Sequence, residues 1–192
     1  NTSLLIHKAF KFRLKPTKEQ AAALRQQGGN TRFLYNLLLD RHEEVYRHTK
    51  KTWRQNDMIT SIPHIKREHE FLLDSDSQAL QQVAIHLHGA YVRFFKGLAD
   101  RPTFKKKHHT SDSFTIPQRI KFKSKAITIP KVGNVHWQMH RKPQGTPKSI
   151  TISRDGDRWF CSVLCELEIN PPTVKTEDIV GIDVGLKEFA VV

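Results

Sequence analysis

The residue with the clearest chemical potential is the carboxylate at position 183. Residues 179–192 read Ile-Val-Gly-Ile-Asp-Val-Gly-Leu-Lys-Glu-Phe-Ala-Val-Val. Ile179, Val180, Ile182 and Val184 form an apolar strand with Asp183 set inside it; Gly185 turns the chain and Phe189 begins a returning strand. A carboxylate in a buried strand needs a positive partner, and a divalent metal ion is one. Two-metal phosphodiester hydrolysis holds its ions about 3.5–4 Å apart, so Asp183 alone cannot hold the pair. The plain alternative is a turn-forming Asp before Gly185.

A second group of residues suits a polyanion. The net charge is +13, and residues 101–160 hold fourteen Lys/Arg against three Asp. Residues 1–100 hold sixteen against ten, and residues 161–192 two against six. A basic segment that still alternates like a sheet suits a folded surface for nucleic acid, against the alternative of a solvated face. Lys105, Lys106 and Lys107 form its densest run and are read as phosphate contacts. Trp53, Trp137 and Trp159 could stack on bases, with core packing favoured for Trp159. Asn36 interrupts an apolar stripe, so Arg32, Tyr35 and Asn36 read as recognition residues. His86, His88, His108 and His109 lack Cys or carboxylate neighbours at ligand spacing, which favours solvated or RNA-facing roles. Cys161 and Cys165 lie roughly 13 Å apart along one strand, too far for a disulfide. Two unpaired thiols and no membrane-length apolar run fit a reducing cytoplasm.

The elements that must position these groups change period along the chain. Residues 4–14 alternate, with Ile6, Phe10, Phe12 and Leu14 on one side. Thr17 and Gln20 form a capping-box signal for a helix over 18–27, which Gly28-Gly29 should end. A second helix follows from Asn30, a short one over 57–62 should break near Pro63, and a long one runs from 77 to 98. From Phe104 the period becomes two, with strands at 113–116, 120–122, 126–129, 135–138, 148–154 and 158–167. Asp155-Gly156-Asp157 is a hairpin turn and 170–173 a linker. The fold class is α+β: a small OB-like barrel, interrupted by a helical bundle, then the first strands of another unit.

Five segments, in this order and spacing, resemble TnpB, the RNA-guided nuclease of bacterial and archaeal insertion sequences and a relative of miniature type V CRISPR effectors. They are residues 7–20 (His-Lys-Ala-Phe-Lys-Phe-Arg-Leu-Lys-Pro-Thr-Lys-Glu-Gln), 30–36 with its Arg-x-x-Tyr-Asn pattern, 102–107, 129–133 and 181–190. The resemblance implies a wedge barrel from 1–15 and 104–170, a recognition domain over 16–103, and the start of an RNase H-like RuvC domain at 171–192. It implies partners too: guide RNA and target double-stranded DNA, with no membrane. Lys131, in the fourth segment, joins the RNA-contacting set. Trp53, Asp57, Ser77, Gln78 and Gln81, with Gln118 from the barrel, are implied as readers of the DNA motif flanking the target; Gln can pair bidentately with adenine.

Asp183 matches the first RuvC carboxylate, a ligand of catalytic Mg²⁺. The RuvC glutamate, a four-cysteine zinc ribbon and the last aspartate are expected beyond these residues. The 192 residues would then be the N-terminal targeting half of the endonuclease, inactive alone. The alternatives are an RNA-guided repressor that does not cut and a generic RNA-binding barrel. Actin-like and sugar-kinase ATPases share Gly-Ile-Asp-x-Gly, but bulky Leu186-Lys187-Glu188 stands where they need small hydroxyl residues.

Overall fold

The computed structural model describes residues 3–107 and 113–170. Its first strand, β1 (Leu4–Lys15), alternates as its residue pattern requires, burying Phe10, Phe12 and Leu14 and exposing Lys11, Arg13 and Lys15. Six more strands follow the helices: β2 (Ser113–Ile116), β3 (Lys121–Phe122), β4 (Ala126–Ile129), β5 (Gly133–Gln138), β6 (Thr146–Asp155) and β7 (Arg158–Ile169). They form one antiparallel sheet in the order β2-β6-β7-β1-β5-β4-β3. The chain-terminal β1 is therefore central, paired with β7 from Leu4↔Ile169 to Leu14↔Trp159.

Consistent with the expected small OB-like barrel, the sheet curls into an antiparallel half-barrel. Its edges, β2 and β3, are four and two residues long, too short to close the sheet on each other. Helices cover the open side instead: Leu24 and Ala79 join the sheet's core beside Phe12, Trp137, Ile150 and Val163. Trp137 and Trp159 are 1% and 3% exposed, so neither can stack on bases as the sequence allowed. Trp137 packs 4.9 Å from Phe12 and donates from Nε1 to the Lys123 carbonyl at 3.0 Å.

Three helices lie between β1 and β2 in the chain. The capping box forms as expected: Gln20 N donates to Thr17 Oγ1 at 3.2 Å, and Thr17 N to Gln20 Oε1 at 3.1 Å. The helix it starts, α1 (Lys18–Thr49), does not stop at Gly28-Gly29. Glycine costs a helix interior about 1 kcal/mol relative to alanine. That cost is exceeded because both flanks are anchored: Leu24 in the sheet core, and Leu34, Leu38 and Leu39 in a second, helical core. Nor does Pro63 break α2 (Gln55–Glu68). Its missing N–H removes one hydrogen bond, while Met58, Ile62 and Ile65 stay buried on either side of it. A 3₁₀ helix (Glu70–Asp74) leads to α3 (Ser77–Phe95), capped by Asp76, which accepts from Ala79 N at 3.0 Å.

α3 ends before the expected Leu98. Gly97 takes a left-handed φ of 68°. Leu98 N donates to the Arg93 carbonyl at 2.9 Å and Gly97 N to the Phe94 carbonyl at 2.9 Å, a Schellman stop. Phe95 and Leu98 are consequently exposed rather than core residues. Two side-chain amides tie α1 to the β4–β5 turn: Gln20 Nε2 donates to the Asn134 carbonyl at 2.9 Å and Gln27 Nε2 to the Pro130 carbonyl at 2.8 Å. No helix among the described residues is long and apolar enough to cross a membrane.

Candidate nucleic-acid interface

Between the helical layer and the sheet lies an open cleft of about 890 Å³. α1 supplies Thr31, Arg32 and Tyr35, α3 supplies Gln82 and His86, and the segment returning to the sheet supplies Lys105. β2 and β6 close the far side with Thr115 and Thr151, whose hydroxyls sit 2.9 Å apart. Among the described residues its lining contains no Asp or Glu.

Lys105 is held there by its backbone. Asn36 Nδ2 donates to the Lys105 carbonyl at 3.0 Å, and Lys105 N donates to Asn36 Oδ1 at 2.8 Å. The clasp spans 69 residues of sequence. It sets the Lys105 ammonium 4.2 Å from the centre of the Tyr35 ring, a cation–π contact. Burial lowers the Lys105 ammonium below the usual lysine range and raises the Tyr35 phenol. His86 is also lowered, by burial first and then by Lys105 and Arg93. The cleft presents the Lys105 ammonium and the Arg32 guanidinium beside the Tyr35 ring.

Arg32, Tyr35 and Lys105 thus meet at one site, while Asn36 spends its amide on positioning Lys105. Lys106 and Lys107 continue the same segment at the surface. Lys131 does not join them: it sits in the β4–β5 turn with φ 64°, near Gln26 and Asp74.

The proposed motif readers fall in three places. Trp53 and Asp57 stand at the α1–α2 junction, where Trp53 packs against the helical core and Asp57 Oδ2 accepts from Arg54 N at 3.1 Å. Ser77, Gln78 and Gln81 lie in the first turns of α3, and Ser77 Oγ accepts from Lys66 Nζ at 3.0 Å. The rest of α2 and the 3₁₀ helix run between these two groups in the chain. Gln118 is exposed in the segment after β2.

The glutamine that enters the cleft is Gln82, within 3.2 Å of His86 Nε2. Sequence reasoning missed it; the signal was the four-residue spacing to His86, which places both on one face of α3. Among the described residues no group of three or more His, Cys, Asp or Glu could hold a metal ion. Asp183, His108 and His109 lie outside the described residues. Cys161 and Cys165 are buried and unpaired, and burial pushes the Cys161 thiol up to about 12.

Comparison with known proteins adds to this geometry. The helix-turn-helix domain family of OrfB from IS605 matches residues 6–51. In this chain that stretch holds β1 and the single unbroken α1 rather than two helices and a turn. "Putative RNA-guided DNA endonuclease InsQ" of Escherichia coli (strain K12) is 33% identical over 186 residues, covering 95% of this chain and 46% of the relative. "Putative RNA-guided DNA endonuclease" of Streptomyces pristinaespiralis is 31% identical over 189 residues, 94% of this chain and 46% of the relative. The chain therefore spans about half the length of the curated relatives it matches. With the domain match, the two relatives and the five sequence segments in agreement, the chain is a protein of the TnpB type.

Proposed function

We propose that this chain is the targeting part of a transposon-encoded RNA-guided DNA endonuclease, holding guide RNA and the DNA motif beside the target. The observation that carries the reading is the cleft where a helical layer and a β-sheet jointly present Arg32, Lys105 and the Tyr35 ring, with no acid among the described lining residues. Cations with an aromatic face suit a polynucleotide better than an isolated anion. The names of the relatives supply the RNA-guided and DNA-cutting parts of the proposal.

In this reading residues 1–15 and 104–170 form the wedge unit, 16–103 the inserted recognition bundle, and 171–192 the start of the RuvC domain. Arg32, Tyr35, Lys105, Lys106, Lys107 and Lys131 contact RNA. Trp53, Asp57, Ser77, Gln78, Gln81 and Gln118 face the flanking DNA motif. The described residues offer no carboxylate set that fits Mg²⁺. The metal would need Asp183 together with other carboxylates. The protein would act where DNA and RNA meet in the cytoplasm.

The test is to purify the chain from cells that also carry its native flanking DNA and to sequence the bound RNA. One enriched, long, structured RNA encoded beside the gene is the expected result. A bound population that mirrors total cellular RNA would overturn the guided reading in favour of a generic RNA-binding protein. Asp183→Ala in a longer, cutting-competent protein should abolish cleavage while RNA binding persists; cleavage at the normal rate would remove Asp183 from the catalytic set.

A further inference from the structure

A second concave site lies at the corner where β1 enters α1. Arg13, Lys15, Lys18, Arg25, Arg154 and Arg158 line a pocket of about 500 Å³ there. Asp157 is the single acid in its lining, and Trp159 and Leu14 lie among its walls. Six cations against one carboxylate in so small a concavity repel one another and focus a positive potential outward. A Thr17–Gln20 box already caps the start of α1, so the helix end itself contributes little there.

The corner and the cleft share one ridge of α1. Lys18, Ala21 and Arg25 line the corner; Gly28, Arg32 and Tyr35 line the cleft. These positions step by three and four residues in turn, the repeat that keeps side chains on one helical face. The cations Lys18, Arg25 and Arg32 recur every seven residues and drift only about 20° per repeat. From Lys18 to Arg32 the ridge is about 21 Å long. Between Arg25 and Arg32 it is thinned by the half-buried Gly29, while Gly28 itself is buried. No acidic residue occupies the ridge, and among the described residues Asp157 is the only one in either lining.

We propose that the corner pocket and the cleft are the two ends of one phosphodiester track along α1. A polynucleotide backbone would enter at Arg13 and Arg158, pass over the half-buried Gly29, where no side chain holds it off, and reach Arg32 and Lys105. The proposal rests on the nucleic-acid reading of the cleft and adds a second contact region with a defined path. The chemistry recognised is the backbone phosphate, so RNA and DNA strands should engage the track alike.

The experiment measures affinity of the 192-residue chain for fluorescent 12-nucleotide RNA and DNA strands of one sequence, across a salt series. Each lost phosphate contact should lower the slope of log affinity against log salt by about 0.7 for single strands. Lys18→Gln with Arg25→Gln should therefore lower it by about 1.4 on both strands. Lys123→Gln with Lys125→Gln, on the β3–β4 turn, should leave it unchanged. Gly29→Glu tests the path without deleting a cation: its Cβ would meet only Arg32 Nη2, at 3.9 Å. The new carboxylate should lower affinity about tenfold, while Gly29→Ala should not.

If wild type binds, and Lys105→Gln lowers the slope but the Lys18/Arg25 pair and Gly29→Glu do not, the track is refuted and the cleft reading stands. If wild type binds neither strand, the cleft reading itself fails. Equal losses from the Lys123/Lys125 pair would reduce the track to a general field effect and overturn it. A loss confined to RNA would overturn backbone recognition in favour of ribose recognition.

Discussion

Replacing Asn36 with Ala should release Lys105 from the cleft, and the size of the effect follows from the clasp. Two hydrogen bonds are lost, at 3.0 and 2.8 Å. Each contributes about 0.5–1.5 kcal/mol net, and a clasp open to water falls toward the lower end. The expected loss is about 1–2 kcal/mol, a roughly 5- to 30-fold rise in the open population of the segment. Native-state hydrogen exchange should read this directly as faster exchange of the Lys105 amide, whose N–H is donated to Asn36. Asn36→Asp keeps an acceptor for that N–H but loses the donor to the Lys105 carbonyl, so it should fall between wild type and Asn36→Ala. Binding separates positioning from contact. Asn36→Ala should weaken nucleic-acid affinity with little change in salt slope, because the Lys105 charge remains. Lys105→Gln should lower the slope by about 0.7. If Asn36→Ala weakened binding while the Lys105 amide exchanged at the wild-type rate, Asn36 would be a direct contact and the clasp argument would be wrong.

Gly29→Ala should raise stability by about 0.5–1 kcal/mol, since its Cβ would meet only Arg32 Nη2, at an ordinary contact distance of 3.9 Å, and the helix gains propensity; a rise of a few degrees in Tm checks it. Leu24→Ala should cost about 2–5 kcal/mol, seen in urea melts, because this fully buried side chain joins α1 to the sheet core. Stability should fall as pH drops below about 6.5, where the unfolded chain protonates His42 and the fold resists it. His42 is 3% exposed, stacks on Tyr91 at 3.9 Å, and its Nδ1 has no hydrogen-bond partner among the described residues. Burial first, with His88 and Arg101 adding to it, lowers its pKa against the opposing pull of Glu43 and Trp53. His42→Phe should reduce the acid sensitivity between pH 7.5 and 5.5 in paired urea melts.

Local chemistry was legible in the sequence. Thr17 and Gln20 announced the start of α1, and Asp155-Gly156-Asp157 announced the β6–β7 hairpin. β2 and β4 have the bounds that alternation alone indicated. These features depend on neighbours within a few residues, where side-chain spacing and turn chemistry decide the outcome. Gly97 carried its signal as well, as the left-handed residue that stops α3, although the apolar stripe running on to Leu98 masked it.

What the tertiary structure alone decided involves distant partners. α1 runs through Gly28-Gly29 because two separate cores hold its halves, and burial on both sides outweighs a local propensity penalty. α2 runs through Pro63 because Met58, Ile62 and Ile65, on both sides of it, are buried in the one helical core. Among the described residues the sheet is a half-barrel whose open side is covered by helices, through Leu24 and Ala79, rather than by further strands. The candidate site is the clearest case. Arg32 and Tyr35 stood out as a pair, but nothing within a few residues of Asn36 shows that its amide closes on the backbone of Lys105, 69 residues away. Sequence patterning identified which residues had the right chemistry; only the packing of α1 against the returning chain decided which of them would meet.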